Sequence, residues 1–410
     1  MGVFHVFKKR PDVRAVVDVG SHTTKALIFE TSRGNVAGSL RPKIIKKMIL
    51  RLPLLYKEER VVIKLREFIF AVVRELERVP EKMVVALGPT LMGAVFETWS
   101  MPVPFSDKGK LTIQKLAAYF QELRTQHASA TSLPVGLFMN GYPVRWETPP
   151  CAYFKNREVG TEGPLTSIRT LAPQQLKQST PLVQEIGFST FAVRPSQTIY
   201  DAFEHMRQSL GGMPMEFIPL VVAHAEAIAG IFSAPDALLI DVGGEETVLM
   251  IVREGTLVSA VSFPLGARHF LRGMSQAASL TFEEVEDLKR QYAQGHISPS
   301  QEAMLHEFLS KESELWKSRL LEALDSFYHI GPFPSAVFIF GGGAHIPEIK
   351  SIVQEPDWIG NFSHHTAPTV RVLDAPRFFE GDSLDGFLQG PEEVGLASLM
   401  MYAMCHKSLF

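Results

Sequence analysis

The sequence predicts an α/β protein of two related lobes closed around one anion-binding cleft. Three observations carry the prediction: two strand–turn–strand segments of similar pattern, and one apolar strand that ends in a glycine triplet. Residues 237–252 are two apolar runs flanking Asp241, Gly243 and Gly244. Glycines at that point let the backbone bend sharply and bring its N–H groups against an anion such as a phosphate. Asp-x-Gly-Gly also serves ordinary hairpins, so it gains weight only from a second copy. That copy is residues 13–30, an apolar run ending in Asp18, Val19 and Gly20, followed by Ser21, His22, Thr23 and Lys25 before a second run. The copies lie about 220 residues apart, as two related lobes would place them. The third element follows the apolar run 336–340, where Gly341, Gly342 and Gly343 precede a helix opening near Pro347. Strand, glycines and helix N-terminus together let a flat or anionic ligand reach bare backbone. Asp18 and Asp241, each closing a strand, are placed to hold a hydrated divalent cation.

Composition narrows the class. At 410 residues the chain exceeds one ordinary core and divides into subdomains. With 46% hydrophobic and 21% charged residues it reads as an ordinary globular protein, and a net charge of −3 offers no overall pull towards nucleic acid. Cys151 and Cys405 are too few for a disulfide framework or a zinc site, which suits a reducing cytoplasm. The opening ten residues place basic groups after a short apolar patch, the reverse of a secretory signal. No uninterrupted apolar stretch reaches the roughly 18 residues of a membrane span. Residues 213–232 come nearest, and Glu216, His224 and Glu226 interrupt them.

After the first hairpin, residues 41–66 are strongly basic. Ile44, Ile45, Met48, Ile49 and Leu52 recur there at helical spacing, a pattern that would suit an anionic membrane surface. The competing reading is a helix or strand docked on the core with its charges in water, and Pro53 limits any helix. Residues 61–76 form a clearer helix, with Val62, Leu65, Ile69, Val72 and Val73 on one face to cover the first sheet. From 82 to 190 the texture changes to strand-like runs at 83–87 and 135–139 around a helical stretch at 111–126, an inserted module without a catalytic cluster. Its notable residues, His127, Asn140, Arg145 and Trp146, read as structural. A helix at 196–210 returns towards the first lobe, and 219–230 reads as a short strand running into a small-residue helix between the lobes. Thr281 and Glu284 form a capping-box pattern opening a helix at 282–292, on which Glu286 and Lys289 share a face. Residues 305–327 are an amphipathic helix, and 394–404 a helix apolar on most sides, to be buried.

Taken in order, Asp-x-Gly-Ser-x-x-x-Lys at 18–25, Asp-x-Gly-Gly at 241–244 and Gly-Gly-Gly-Ala at 341–344 resemble the phosphate-1, phosphate-2 and adenosine motifs of the actin-like ATPases. Residues 263–275 with 281–289 are similar to the matching segment of the FtsA/PilM family of bacterial actin-like ATPases, which carries a strand-helix-strand-strand subdomain where this chain has its insert. The resemblance is specific over 13–30 and 219–346 and loose over 82–210. It implies an actin-like, RNase H-like two-lobed fold: a first lobe at 1–81 and 191–232, the insert at 82–190, a second lobe at 233–387, and a closing helix at 388–410 returning to the first lobe. It further implies ATP and Mg2+ as cofactors. Asp18 and Asp241 would hold the metal, Gly20, Ser21, His22, Thr23, Lys25, Gly243 and Gly244 the phosphates, and Glu286, Lys289 and Gly341–Gly343 the nucleoside. Glu226 would orient the attacking water, with His224 the weaker candidate.

The same resemblance implies self-assembly into actin-like polymers and a partner that is either an FtsZ-like division protein or pilus inner-membrane proteins, at the inner face of the cell membrane. Two departures bear on it. FtsA ends in a membrane-binding helix, whereas only 407–410 follow the closing helix here, so membrane contact would fall to residues 41–57 or to Phe4, Phe7, Lys8, Lys9 and Arg10. Glu245 and Glu246 stand where the family more often has Gly and Thr. A carboxylate about 4 Å from a phosphate charge costs on the order of 4 kcal/mol at an effective dielectric of 20, so these side chains must turn away or share a cation, and slow hydrolysis is expected. A sugar-kinase-like phosphotransferase is the rival enzyme reading, and a nucleotide-free scaffold the rival without a cofactor. A chaperone ATPase is disfavoured, because the 67 residues after Gly343 are too few for a peptide-binding domain.

Overall fold

A computed structural model describes residues 12–33, 40–51, 58–76, 80, 82–88, 94–104, 113–127, 132–139, 142–144, 184–193, 201, 205–206, 208–211, 215–232, 236–355, 362, 366–379, 384 and 386–405. Strands β1 (Asp12–Val19), β2 (Thr23–Arg33) and β3 (Leu40–Arg51) form an antiparallel meander. Helix α1 (Glu58–Arg74) follows, and β4 (Lys82–Leu87) then pairs in parallel with β1. The insert comes next: β5 (Ala94–Pro102), α2 (Ile113–Gln126), β6 (Ser132–Met139), β7 (Tyr142–Val144) and β8 (Glu185–Val193), with its sheet in the order β5-β8-β6-β7. The chain returns as β9 (Met215–Pro219), completing a five-stranded first sheet in the order β3-β2-β1-β4-β9.

The second lobe repeats this plan. Strands β10 (Ala237–Val242), β11 (Thr247–Arg253) and β12 (Thr256–Phe263) are the antiparallel meander, and β13 (Ala336–Phe340) and β14 (Thr369–Val372) extend it in parallel. Between β12 and β13 run α4 (Ala267–Ala278), α5 (Phe282–Ala293) and α6 (Pro299–Asp325), and α7 (Pro347–Gln354) follows β13. The central strands β1, β4 and β10 are buried along nearly their whole length because both of their faces are covered, as parallel-paired strands require. Outside the first sheet, α1 buries Leu65, Ile69 and Val72. Outside the second, Trp316 of α6 is fully buried and donates its indole N–H to Thr247 Oγ1 at 3.1 Å.

Between the sheets lie α3 (Leu220–Ile231) and α8 (Val394–Cys405), packed on one another. Val16, Leu27 and Val84 of the first sheet and Leu239, Met250 and Phe340 of the second join both helices in one continuous core. Small residues on α3 (Ala223, Ala225, Ala227, Ala229) allow that close packing, so the lobes share a floor beneath the cleft.

One expectation is corrected. Residues 82–87 belong to the first sheet, not to the insert, whose own sheet runs from Ala94 to Val193. The apolar–basic pattern at 41–51 is a strand hydrogen-bonded along β2, which is the docked form of the two readings the sequence offered. Its side chains alternate, with Ile44 buried and Ile45 and Ile49 exposed, and a register shift beside Ile28 and Phe29 breaks the alternation enough to mimic a helical period. Residues 1–11, 52–57, 140–141, 145–183 and 406–410 lie outside the described residues, and with them the expectations placed on Phe4, Phe7, Lys8, Lys9, Arg10, Asn140, Arg145 and Trp146. His127 stacks on Trp99 of β5, centroids 4.7 Å apart, in the structural role expected of it. No helix among the described residues is long and apolar enough to cross a membrane.

Candidate functional site

The two meander turns share one geometry. In the first, the Gly20 N–H donates to Thr23 O at 3.1 Å; in the second, the Gly243 N–H donates to Glu246 O at 2.9 Å. A Cβ at either glycine would stand 2.9 Å from that same carbonyl oxygen, so the turn admits no side chain. The chain therefore builds one tight bend twice, each placing an aspartate just before it on the sheet. After β13, Gly341 adopts φ 89° and a Cβ there would strike the Asp241 carboxylate. Only glycine fits where that backbone passes Asp241.

The three bends line a single cavity of about 720 Å³ between the lobes. Asp18, Gly20, Ser21, His22, Thr23 and Lys25 come to it from the first lobe, and Asp241, Gly243, Gly244, Glu286, Lys289, Gly341 and Gly342 from the second. Gly343 does not line it: the close neighbour of a Cβ there would be the Val242 side chain, so this glycine serves packing of the turn on β10. Glu226 does not line it either. On α3 Leu220 and His224 face the cavity, and the histidine's Nε2 is 3.5 Å from Asp241 Oδ2 and its Nδ1 3.1 Å from Ser398 Oγ. Glu226, two positions on, points to the far side of the helix. Burial raises its pKa well above the ordinary carboxylate value, Glu216 adds to the shift and Lys82 opposes it. Lys82 in turn pairs with Glu216, which accepts the Tyr402 hydroxyl at 2.8 Å.

Asp18 is buried, and one of its carboxylate oxygens has no hydrogen-bond partner. Burial raises its pKa from 3.8 to about 6; Lys25 and His224 oppose the shift and Asp241 adds to it. Two carboxylates facing one cavity, one of them short of a partner, suit a hydrated divalent cation that a phosphate would help to hold. No cluster of three or more potential metal ligands exists among the described residues, so a cation here would be shared with its anionic ligand. The first turn of α8 seals this end of the cavity: a Cβ on Gly395 would lie 2.6 Å from Asp18 Oδ2.

The lobes touch across the cleft mouth. His22 Nε2 lies 2.7 Å from Glu286 Oε1, and Arg51 lies 3.5 Å from the other oxygen. The His22 hydrogen bond holds the Glu286 carboxyl below its ordinary pKa, against the burial that opposes it. Glu286 is thus a latch to the first lobe. Burial lowers the pKa of Lys289, while Glu286 opposes the shift. The two turns also meet directly, with the Glu245 N–H donating to Ser21 Oγ at 3.0 Å. Lys25 donates to the carbonyl of Glu392, whose carboxylate is 2.6 Å from His345 Nε2.

Glu245 turns out of the cavity, as the phosphate argument requires. Arg272 grips its carboxylate with both terminal nitrogens, at 3.2 and 3.0 Å, and Arg268 approaches to 3.3 Å. Arg51, Gly266, Arg268, His345, Glu392 and Gly395 are residues of this site that sequence reasoning missed. Gly266 and Gly395 left a signal, as glycines at or inside helix starts. A Cβ on Gly266 would come within 2.5 and 2.6 Å of the carbonyl oxygens of Gly244 and Gly243, which accept the N–H groups of Arg268 and Ala267.

The family model for cell division protein FtsA matches residues 238–381. No curated protein matches the chain. Among solved structures it is similar to a PilM-PilN type IV pilus biogenesis complex, 17% identical with a TM-score of 0.56, covering 95% of this chain and 98% of that one. It also matches ethanolamine utilization protein EutJ from Carboxydothermus hydrogenoformans (12% identity, TM-score 0.46, 96% of this chain and 91% of that one). A further match is MreB 5 of Spiroplasma citri bound to AMPPNP (10% identity, TM-score 0.43, 95% and 96%).

Proposed function

We propose that the chain, whose fold is like that of PilM and whose residues 238–381 match the FtsA family model, binds ATP with magnesium between its lobes and works as a nucleotide-dependent scaffold that hydrolyses ATP slowly or not at all. The observation that carries this reading is that Asp18, Asp241 and Gly342, from three separate stretches, line one cavity. Asp18 and Asp241 would hold the hydrated cation. The turns at Gly20–Thr23 and Gly243–Gly244 would offer backbone N–H groups to the phosphates, with Lys25 beside them, and Glu286, Lys289, Gly341 and Gly342 would meet the nucleoside. Magnesium would neutralise phosphate charge and orient it.

Slow turnover is supported by the place of Glu226, the group expected to orient the attacking water, which lies outside the cavity against Lys82 and Glu216. The same placement counts against Glu226 as the acceptor base that a sugar-kinase-like phosphotransferase would need. Calorimetric titration tests the reading: saturable ATP binding is expected with magnesium, strongly weakened by Asp18→Asn or Asp241→Asn, with phosphate release far below one per second. A chain that binds no ATP sinks the proposal, and rapid steady-state phosphate release sinks its scaffold half.

Two associations follow at the inner face of the membrane, beside self-assembly into polymers. The match of residues 238–381 to the FtsA model favours a division-ring role with an FtsZ-like partner. The likeness of fold to PilM over nearly the whole of both chains favours a pilus role with inner-membrane pilus proteins. Capture from native cell extract separates them by which set co-purifies.

A further inference from the structure

Arg268 is the second residue of α4, and the first N–H groups of that helix are committed to the carbonyls of Gly243 and Gly244. Its side chain is 3% exposed and forms part of the cavity wall beside those glycines. On the outer side of the same wall its guanidinium meets Glu245, which Arg272 already holds through two hydrogen bonds. Two arginines therefore share one carboxylate, and the trio carries a net positive charge next to the second glycine turn. Glu286 adds a negative charge to this neighbourhood, but His22 and Arg51 engage it from the first lobe. A guanidinium presents its donors as a planar fork that suits carboxylate and phosphate equally well.

We infer that Arg268 is the cleft's ligand for the terminal phosphate of a nucleoside triphosphate, and that Glu245 is its built-in competitor, occupying the guanidinium until a phosphate displaces it. This rests on the nucleotide reading of the cavity. Arg272 makes the exchange workable: when Arg268 turns inward, the bidentate Arg272 pair keeps Glu245 neutralised and outside. Glu245, which at first sight burdens a phosphate site, becomes the group that sets how strongly triphosphate is preferred over diphosphate.

Calorimetric titration with ATP and with ADP, each with magnesium, tests the exchange on the full chain, three single variants and one double variant. Arg268→Gln is expected to weaken ATP binding roughly tenfold or more, and ADP binding much less. Glu245→Gln is expected to tighten ATP binding several-fold by releasing Arg268. Arg272→Gln leaves Glu245 wholly to Arg268 and should weaken ATP binding, with Glu245→Gln restoring it in the double variant. Shifts of opposite sign in two variants of one ion pair separate this exchange from a damaged fold, and ADP affinity reports site integrity in each. Arg268→Gln binding ATP like the unaltered chain, or losing ATP and ADP equally, overturns the terminal-phosphate role. Unchanged ATP affinity in Glu245→Gln overturns the competition. An unaltered chain that binds neither nucleotide overturns this inference together with the function beneath it, whereas one that binds both isolates the failure to Arg268.

Discussion

Asp18 is held where its charge is costly before any ligand arrives. Buried against α8 and facing Asp241, it titrates near 6 in the folded chain instead of 3.8. Between those two values the folded chain keeps a proton that the unfolded chain has lost, so raising the pH through that window removes stability. Asp18→Asn should therefore stabilise the ligand-free protein by up to about 3 kcal/mol above pH 7, with the gain fading towards pH 4. Urea unfolding of both proteins at the two pH values checks this, and an equal difference at both would refute it. Since a cation needs the ionised carboxylate, magnesium-dependent ATP affinity of the unaltered chain should rise from pH 5 to pH 7 and then level off. Stability and binding thus pull Asp18 in opposite directions, which is common where a site is built for a ligand.

A glycine turn and the helix behind it form one unit in the second lobe. Gly243 and Gly244 receive two N–H groups from the start of α4, at 2.9 and 2.8 Å, and Gly266 lets the helix come that close. Gly266→Ala puts a methyl group into that contact, so α4 must back away and the two hydrogen bonds lengthen. A loss of about 1–3 kcal/mol is expected, as for other small-to-large changes in tight packing, together with weaker ATP binding. A lowered urea midpoint with an unchanged slope is the signature sought. Among the described residues no helix start donates to the corresponding turn of the first lobe, which leans on the second-lobe turn through Ser21 Oγ and His22.

Across the whole molecule, the lobes are joined in two unequal ways. Beneath the cleft, α3 and α8 weld both sheets into one apolar core, while the mouth is closed by a few polar contacts centred on Glu286. A further tie lies at the side: β12 packs against the insert's β6, and Phe138 of the insert reaches the second lobe's core. Removing the polar latch should change shape more than stability, because part-exposed ion pairs contribute little. Glu286→Ala is expected to raise the radius of gyration of the ligand-free chain in solution scattering and to leave the unfolding free energy within about 1 kcal/mol. A chain that stays equally compact would show the insert and core, not Glu286, to be what holds the lobes together.

What the residues determined alone was local. Asp18 and Asp241 before their glycines, the triplet at 341–343 and the capping box at Thr281 each state a backbone demand that neighbouring positions satisfy, so both hairpins and α5 were legible, and their repetition implied two lobes. Fold class followed because the order of those demands is itself a pattern. The tertiary structure alone decided which way a side chain faces. His224 and Glu226 stand two apart on a helix, about 200° around its axis, and only the packing of α8 fixed that the histidine meets the cleft while the glutamate meets Lys82 and Glu216. Likewise the period of residues 44–52 suited a helix until β2 offered backbone partners along residues 40–51, and Glu245 seemed an obstacle until Arg268 and Arg272 took its charge. Turn chemistry is written in adjacent residues, whereas facing and neutralisation depend on groups tens of positions away or more that only the folded chain brings together.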